Sequence, residues 1–272
     1  MNEIDRAVKA IAECDALLIG AGAGMGVDSG LPDFRGNEGF WKAYPPMRRA
    51  GLSFYDLANP EWFDSDPSRA WGFYGHRRNL YRETQPHSGF QTLLNWGLAK
   101  SGGYFVFTSN VDGHFQAAGF ESERVVECHG AINRQQCASP CSRKIWHAEA
   151  EEIDVDLESF RADGDLPACV ECGEMARPNI LMFGDTGWIE DATERQYDRY
   201  AKWLNDVSSL QLTIIEIGAG TAVPTVRRAC ERRAAGPNGT LVRINPRESQ
   251  GENAISISLV AKAALDAISD QL

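Results

Sequence analysis

Residues 17–36, LLIGAGAGMGVDSGLPDFRG, decide the fold of this chain. The apolar first half predicts a β-strand, from which four glycines alternate along the backbone: Gly20, Gly22, Gly24 and Gly26. In α/β proteins, a strand that opens into side-chain-free backbone brings main-chain N–H groups against a pyrophosphate. The spacing lacks the third glycine of the usual dinucleotide fingerprint. The stretch therefore favours nucleotide binding, and on its own it leaves a flexible turn as the alternative.

The rest of the chain alternates apolar strands with helical patterns. We predict strands at 16–21, 104–108, 125–126, 179–183, 212–217, 241–244 and 254–257, and helices at 89–99, 191–207, 223–235 and 259–272. Short apolar strands between helices predict an α/β fold with a doubly wound parallel sheet. Two stretches, 37–84 and 133–178, do not fit this rhythm and are expected to build a smaller lobe.

Composition limits the class of protein. The 272 residues carry a formal net charge of −11, which argues against nucleic acid as a partner, because phosphate contacts need clustered Lys and Arg. No apolar run approaches the roughly 20 residues of a membrane-spanning helix. The first residues predict an amphipathic helix with Ile4, Val8 and Ile11 on one face, and they do not resemble a secretory signal. We expect a cytoplasmic, monomeric protein without a membrane partner.

Four of the seven cysteines form two close pairs. Cys137-x₃-Cys141 is followed, after 27 residues, by Cys169-x₂-Cys172. Two such pairs suit tetrahedral zinc, and four thiolates would close its coordination shell, so the metal would be structural. Buried thiols without a metal are the alternative. The other three, Cys14, Cys128 and Cys230, are isolated and are expected in the core.

Two polar clusters directly follow predicted strands. Asn110 and Asp112 lie in TSNVDG (108–113), where two side chains on one face of an extended segment can hydrogen-bond a planar carboxamide. His129 lies in ECHG (127–130) and has the chemistry of a general base near neutral pH. Each cluster alone is also compatible with an ordinary turn. Both positions suit ligand binding, because parallel sheets bind ligands at the carboxyl ends of their strands.

Taken together and in order, these motifs resemble the sirtuin (Sir2) family of NAD-dependent protein deacylases, over nearly the whole chain from about Asp15. GAGMGVDSGLPDFR (22–35) is similar to the family's GAGxSxxSGIPDFR, and TSNVDG is similar to TQNIDG. CHG (128–130) matches the catalytic HG, and FGD (183–185) is similar to FGE. GTA (220–222) is similar to GTS, and the IN at 244–245 matches the family's IN. The cysteine pairs fall between CHG and FGD.

The resemblance implies a Rossmann-like NAD-binding domain and a zinc-stabilised small lobe. The expected division is 1–36, 85–132 and 179–272 for the first, with a helical module at 37–84 and a zinc-binding module at 133–178 for the second. The implied cofactor-binding residues are Gly22, Ala23, Gly24, Gly26, Asp33, Phe34, Arg35, Ser109, Asn110, Asp112, Gly220, Thr221 and Asn245. Phe183 and Gly184 are implied to bind the substrate.

The implied reaction transfers the acyl group of a modified lysine to ADP-ribose. Asn110 and Asp112 would hold the nicotinamide carboxamide, and the acyl oxygen would capture the sugar carbon. His129 would then take a proton from a ribose hydroxyl. The products would be nicotinamide, free lysine and O-acyl-ADP-ribose.

A further motif concerns the acyl group. Tyr74 and Arg77 are three residues apart, so they share a helix face, and they resemble the Tyr-x-x-Arg of sirtuins that remove succinyl, malonyl or glutaryl groups. A guanidinium can hold a carboxylate with two hydrogen bonds. A solvated arginine pair on a surface helix is the alternative.

Three positions depart from the family pattern. Gly26 and Ala222 each stand where the family has Ser, and Ser109 replaces Gln. Each lost hydrogen bond costs about 0.5–1.5 kcal/mol of binding. These departures keep other functions open: NAD hydrolysis or ADP-ribosyl transfer, a non-catalytic NAD or ADP-ribose sensor, and a zinc-stabilised interaction module.

Overall fold

The computed structural model describes residues 2–32, 36–148 and 152–272. The strands are β1 (Ala16–Ala21), β2 (Tyr104–Thr108), β3 (Val125–Glu127), β4 (Gly130–Cys137), β5 (Ile145–His147), β6 (Val155–Asp156), β7 (Arg161–Ala162), β8 (Ala176–Ile180), β9 (Leu212–Ile217), β10 (Gly239–Ile244) and β11 (Ala254–Ile257). The helices are α1 (Glu3–Glu13), α2 (Gly24–Val27), α3 (Gly36–Ala43), α4 (Pro45–Arg49), α5 (Phe54–Leu57), α6 (Trp62–Ser65), α7 (Pro67–Glu83), α8 (Ser88–Leu98), α9 (His114–Ala117), α10 (Asp191–Asp206), α11 (Thr225–Ala234) and α12 (Ala261–Ser269).

Six strands form one parallel sheet in the order β11-β10-β9-β1-β2-β3. The predicted doubly wound α/β sheet is therefore confirmed. Because β1 lies between β9 and β2, the strand order reverses beside β1, which is where such sheets bind ligands.

The continuous apolar run of β1 follows from burial of the sheet on both faces. Leu17 and Ile19 point into a core shared with α1, α8 and α12, and Leu18 points into the opposite core beneath α10 and α11. Successive residues of a strand alternate between faces, so a sheet covered on both sides needs apolar residues at every position. The predicted amphipathic helix is confirmed as α1, whose Ile11 is buried while Ile4 and Val8 pack against the same core.

A smaller lobe is built from α3–α7 and from antiparallel strands. Its three-stranded sheet has the order β5-β4-β8, and β6 and β7 form a separate pair. Its core is aromatic: Trp71, Phe73 and Tyr44 are fully buried, and the indole of Trp71 donates to the carbonyl of Ala176 on β8. Ile132 and Ile180 also contact this core. The division of the chain into three modules at the boundaries given above stays a proposal.

The prediction of a strand at 179–183 is wrong, both in the residues that form the strand and in the sheet to which they belong. The observed strand is β8, which ends at Ile180 and pairs antiparallel with β4, Asn179 opposite Ala131. The apolar letters of NILMF look like a buried parallel strand, but the side chain of Leu181 is 38% exposed. The chain leaves the sheet there because Asp185 accepts hydrogen bonds from the backbone N–H groups of Met182 and Gly187 and folds the segment into a loop.

No helix within the described ranges combines the length and the apolar character that crossing a bilayer requires.

Candidate active site and metal centre

The glycine loop lies where the strand order reverses. The N–H of Gly22 donates to the carbonyl of Ile217 at 2.9 Å, and the N–H of Gly24 donates to the carbonyl of Gly218 at 3.1 Å. The loop after β1 thus touches the loop after β9. A side chain at Gly22 would place its Cβ 2.7 Å from the Cα of Ala219. Gly218 has φ +61°, and a Cβ added there would lie 2.4 Å from the Cα of Gly24. Only glycine fits at the point where these two loops cross.

Replacing Gly22 with Ala is expected to destabilise the fold by about 1–3 kcal/mol and to weaken nucleotide binding, because the new methyl group overlaps backbone that cannot move aside. Chemical denaturation and calorimetry measure the two effects. Gly236→Ala is the matched control, since a Cβ there meets its nearest atom at 3.4 Å. Equal stability and affinity for both variants would contradict this account of the loop.

Gly26 is buried under Leu31. A Cβ at Gly26 would lie 3.0 Å from Cδ1 of Leu31, so a serine there would require the leucine side chain to shift slightly. Ala23 precedes the short helix α2 in the same loop. Of the other sequence-predicted residues of this segment, Asp33, Phe34 and Arg35 lie outside the described residues.

Asn110 is tied to the glycine loop. Its side-chain amide donates to the carbonyl of Gly22 at 3.1 Å, and its own N–H donates to the hydroxyl of Thr108 at 3.0 Å. Thr108 in turn donates to the carbonyl of Ala21 at the end of β1. The structure therefore brings the polar residues after β2 to the same edge as the loop after β1.

Asp112 accepts a hydrogen bond from the N–H of His114 at 2.9 Å, across Gly113 in the left-handed conformation. Burial raises the pKa of Asp112, while the charges of His114 and Arg77 act in the opposite direction. The carboxyl group is thus held in a fixed orientation.

His129 follows β3 at the same edge of the sheet. Burial lowers the pKa of His129 from its usual 6.5, and a hydrogen bond to the backbone of Ser109 acts in the opposite direction. The carbonyl of His129 accepts from the N–H of Leu181 at 3.0 Å, which fixes its backbone. An imidazole that is neutral at pH 7 and oriented by its neighbours is suited to accept a proton.

A buried polar pair beneath His129 was not predicted from the sequence. The side chain of Gln196 on α10 accepts from the N–H of Glu127 at 2.9 Å and donates to its carboxylate at 3.1 Å, and Arg134 forms an ion pair with the same carboxylate. These contacts hold the end of β3 at Glu127. They therefore also help to position His129, which follows two residues later. No local pattern marks it, because Gln196 is 69 residues away.

Gly220, Thr221 and Asn245 lie at the opposite half of the same edge, after β9 and β10. The side chain of Asn245 donates to the carbonyl of Ala219 at 3.0 Å and so joins the two loops. The hydroxyl of Thr221 donates to the carboxylate of Glu248. The predicted cofactor-binding residues outside the segment 33–35 therefore lie along the same edge as His129, as far as Asn245.

Arg77 and Tyr74 are buried in the small lobe. Nε and Nη2 of Arg77 donate to the hydroxyl of Tyr81 at 3.0 and 2.8 Å. The guanidinium also lies over the rings of Phe54 and Phe73 at 5.8 and 5.2 Å. The alternative considered above, a solvated arginine on a surface helix, is wrong for Arg77, because this residue is only 6% exposed. The sequence reasoning missed Tyr81, although its i,i+4 spacing from Arg77 is a signal.

The loop that carries Phe183 and Gly184 contacts this aromatic cluster. The ring of Phe183 meets Phe54 edge to face at 6.2 Å, and its N–H donates to the carbonyl of Ala58 at 2.8 Å. The loop is anchored by a fully buried ion pair, in which Arg177 holds both carboxylate oxygens of Asp185 at 2.7 and 2.9 Å. Arg177 was not predicted as a functional residue.

The four paired cysteines meet at one point. All four Sγ atoms lie within 4.8 Å of one another, and the pairs Cys137–Cys172 and Cys141–Cys169 are each separated by 3.7 Å. Four thiolates at the Zn–S distance of about 2.3 Å around a tetrahedral ion lie about 3.8 Å apart. The separation also excludes disulfides, which need about 2.0 Å. The donor set therefore fits structural zinc, and the remaining cysteines, Cys14, Cys128 and Cys230, are buried as expected.

The fold and the site together define a class: an α/β protein with a glycine loop where the strand order of its parallel sheet reverses, a four-cysteine lobe and a histidine at the sheet edge. The family model described as Sir2 family matches residues 22–223. The chain belongs to the Sir2 family.

Named relatives and solved structures agree with this membership. The NAD-dependent protein deacetylase of Saccharolobus solfataricus is 35% identical over 167 residues, 60% of this chain and 58% of that protein. An NAD-dependent protein deacylase of Thermus thermophilus is 30% identical over 250 residues, 90% of this chain and 85% of that protein. The match thus spans less than two thirds of the first relative and most of the second.

Two solved Sir2 homologue mutants, in complexes with ADP-ribose and with 2′-O-acetyl-ADP-ribose, superpose with TM-scores of 0.69 and 0.67. Each is 25% identical, and each alignment covers 98% of this chain and 95% of the other.

Proposed function

We propose that this protein is an NAD-dependent protein-lysine deacylase that converts NAD, acyl-lysine and water into nicotinamide, lysine and O-acyl-ADP-ribose. The observation that carries the proposal is the placement of Asn110, Asp112 and His129 on one sheet edge, next to the glycine loop, in a chain of the Sir2 family. The printed names of its relatives and the acetyl-ADP-ribose bound to a solved homologue support it.

In this proposal NAD lies along the edge, with its pyrophosphate over Gly22, Ala23, Gly24 and Gly26. Asn110 and Asp112 orient the nicotinamide carboxamide, and Ser109, Asp33, Phe34 and Arg35 are further residues that bind NAD. The adenosine half lies beside Gly220, Thr221 and Asn245. Fixed dipoles around the sugar lower the barrier to loss of nicotinamide without reorganising during the reaction.

His129 acts as the general base in this proposal. Its lowered pKa keeps the imidazole neutral at pH 7, so it can accept the proton of a ribose hydroxyl that attacks the acyl carbon. Phe183 and Gly184 bind the backbone of the acyl-lysine peptide, on a loop that the Arg177–Asp185 pair holds in place. Zinc on the four cysteines keeps this lobe folded.

The proposal is tested by nicotinamide release with and without an acetyl-lysine peptide. A deacylase releases nicotinamide and lysine peptide in equal amounts and only when both substrates are present. Nicotinamide release at the same rate with and without the peptide would indicate an NAD glycohydrolase. NAD binding without turnover would indicate a sensor.

We further propose that the enzyme accepts acidic acyl groups such as succinyl-lysine beside acetyl-lysine. Tyr74 and Arg77 lie on α7 in the aromatic cluster that also contacts Phe183 through Phe54. The guanidinium of Arg77 is oriented by Tyr81, so it can hold a carboxylate with little further ordering.

Replacing Arg77 with Met is expected to lower kcat/KM for a succinyl-lysine peptide about 10- to 100-fold, because a charge-assisted hydrogen bond is lost. The acetyl-lysine rate of the same variant is the internal control for folding and is expected to change about threefold or less. Arg77→Lys keeps the charge and should retain part of the preference. Equal losses on the two peptides would contradict the assignment.

The cytoplasmic location, the monomeric state and the absence of nucleic-acid or membrane partners stay proposals. Size-exclusion chromatography with light scattering tests the monomer.

A further inference from the structure

An exposed tyrosine of the small lobe lies over the loop that carries Phe183 and Gly184. The ring of Tyr55 on α5 stacks on the ring of Phe183, with the ring centroids 4.2 Å apart and the ring planes inclined by 30°. Tyr55 is nevertheless 64% exposed. Because Phe183 covers one face of the tyrosine ring, the other face is open to solvent. We call these two stacked rings the aromatic platform.

The helix that carries the tyrosine is fixed at both ends. At its start, the hydroxyl of Ser53 accepts the N–H of Asp56 at 3.3 Å, and the carboxylate of Asp56 accepts the N–H of Ser53 at 2.8 Å. At its end, the indole of Trp62 donates to the carbonyl of Asp56 at 2.7 Å, and the N–H of Phe183 donates to the carbonyl of Ala58 at 2.8 Å. The aromatic platform is therefore ordered before a ligand arrives, which lowers the entropic cost of binding.

The aromatic platform lies a short distance from the proposed general base. The N–H of Leu181 donates to the carbonyl of His129 at 3.0 Å. Phe183 follows Leu181 by two residues, and two residues of extended chain span at most about 7 Å. A bound peptide in extended conformation advances by the same distance per residue. A peptide whose acyl-lysine reaches His129 therefore places a residue about two positions away beside Tyr55.

The segment that carries Tyr55 is acidic. Residues 50–68 contain no Lys or Arg, and three of their carboxylates, on Asp56, Glu61 and Asp64, belong to exposed residues. Hydrogen bonds from the side chain and backbone of Ser53 lower the pKa of Asp56, so this group is ionised at neutral pH. Negative charge and an open aromatic face both attract a cation.

We propose that the aromatic platform binds a basic side chain, Arg or Lys, of the protein substrate within about two residues of the acyl-lysine. A guanidinium or ammonium group lies over the open face of Tyr55, and the exposed carboxylates of the same segment attract the same charge. The inference rests on the proposed function, because that function places the acyl-lysine beside His129. It defines a substrate class, which is acyl-lysine in a basic sequence.

Calorimetric titration with three acetyl-lysine peptides tests the proposal. The peptides carry Arg, Ala or Glu at the two positions on each side of the acetyl-lysine. We expect the wild type to bind the Arg peptide about two- to fivefold more tightly than the Ala peptide, as for an exposed cation–π contact, and to bind the Glu peptide most weakly. The ratio of Arg-peptide to Ala-peptide affinity should fall in Tyr55→Ala and persist in Tyr55→Phe, which keeps the ring.

Leu157→Ala is the matched control. Leu157 is 62% exposed and also lies in the small lobe, between β6 and β7, so its truncation removes a similar apolar surface away from the aromatic platform. All three peptide affinities should equal those of the wild type. Thermal unfolding shows that each variant is folded.

Equal affinities of the wild type for the Arg and Ala peptides, or no measurable binding of any peptide, would overturn the inference. A uniform loss for all three peptides in Tyr55→Ala would also overturn it, because the ring would then only support the loop. The titrations contain no NAD. A preference for the Arg peptide without deacylation when NAD is added would disprove the proposed function and leave the role of Tyr55 standing. Deacylation of three peptides that bind equally would do the reverse.

Discussion

Replacing His129 with Gln is expected to lower the deacylation rate by about 10²- to 10⁴-fold, the usual contribution of a positioned general base. Glutamine has a similar size and can still donate to the backbone of Ser109, but it cannot take up a proton. Binding of NAD should change little, because the glycine loop and Asn110 are untouched. Single-turnover kinetics and calorimetry measure the two quantities on the same preparation.

The pH profile of the wild type gives an independent readout of His129. The base must be neutral to act, so activity is lost as the pH falls through the pKa of His129, which burial places below 6.5. The acidic limb should therefore lie below pH 6.5, with a plateau above it. Burial also raises the pKa of Asp112 from 3.8, so this carboxyl group could produce an acidic limb as well. The Asp112→Asn variant is the control that shows which of the two groups titrates. A limb that disappears in Asp112→Asn would assign it to the carboxyl group and contradict the role of His129.

Replacing Cys169 with Ser is expected to abolish zinc binding and to unfold the small lobe. Removing one ligand from a closed tetrahedral site forfeits most of a metal-binding free energy of about 10–16 kcal/mol in small zinc domains. We expect the thermal midpoint to fall by about 10 °C or more. Metal analysis by mass spectrometry should find one zinc per chain in the wild type and none in the variant.

Cys14→Ser is the matched control for the zinc site. Cys14 is also buried, but it lies outside the cluster and contacts only the carbonyl of Ile11 among its hydrogen-bond partners in the described part of the chain. Its zinc content should equal that of the wild type. Full zinc content in Cys169→Ser would contradict the four-cysteine site.

Loss of zinc should also disorder the loop that carries Phe183 and Gly184. Cys137 is the last residue of β4, and its neighbour Gln136 donates to the carbonyl of Gly187 at 2.7 Å and accepts from the side chain of Asn179. A zinc ion on the four cysteines would therefore fix the end of β4, which anchors the loop of Phe183 and Gly184. NAD affinity depends on the other lobe and should survive better than peptide affinity.

The sequence predicts the large sheet because the determinants are local. The apolar run of β1 ends in glycines that the crossing with the loop after β9 requires, and polar residues follow each of β2, β3 and β10. The paired cysteines predict a metal centre for the same reason, since each pair is a tight turn. These features can be recognised without knowing what packs against them.

The parts that sequence reasoning missed depend on partners far along the chain. Glu127 is held by Gln196, and Arg77 is oriented within a cluster that includes Phe54. The error at 179–183 has the same cause, because the side chain of Asn179 bonds to Gln136 on β4 and to the carbonyl of Ile189, which directs the segment into the small lobe. An apolar run indicates that a segment is buried, but it does not indicate which sheet the segment joins.

The most direct test of the central claim is mass spectrometry of the products formed from NAD and an acetyl-lysine peptide. Our account predicts nicotinamide, unmodified lysine peptide and O-acetyl-ADP-ribose in equal amounts, and neither the unmodified peptide nor O-acetyl-ADP-ribose with His129→Gln on the same time scale. Free ADP-ribose with the peptide still acetylated would contradict it, and would mean that Gly26, Ser109 and Ala222 mark NAD hydrolysis on a Sir2 scaffold.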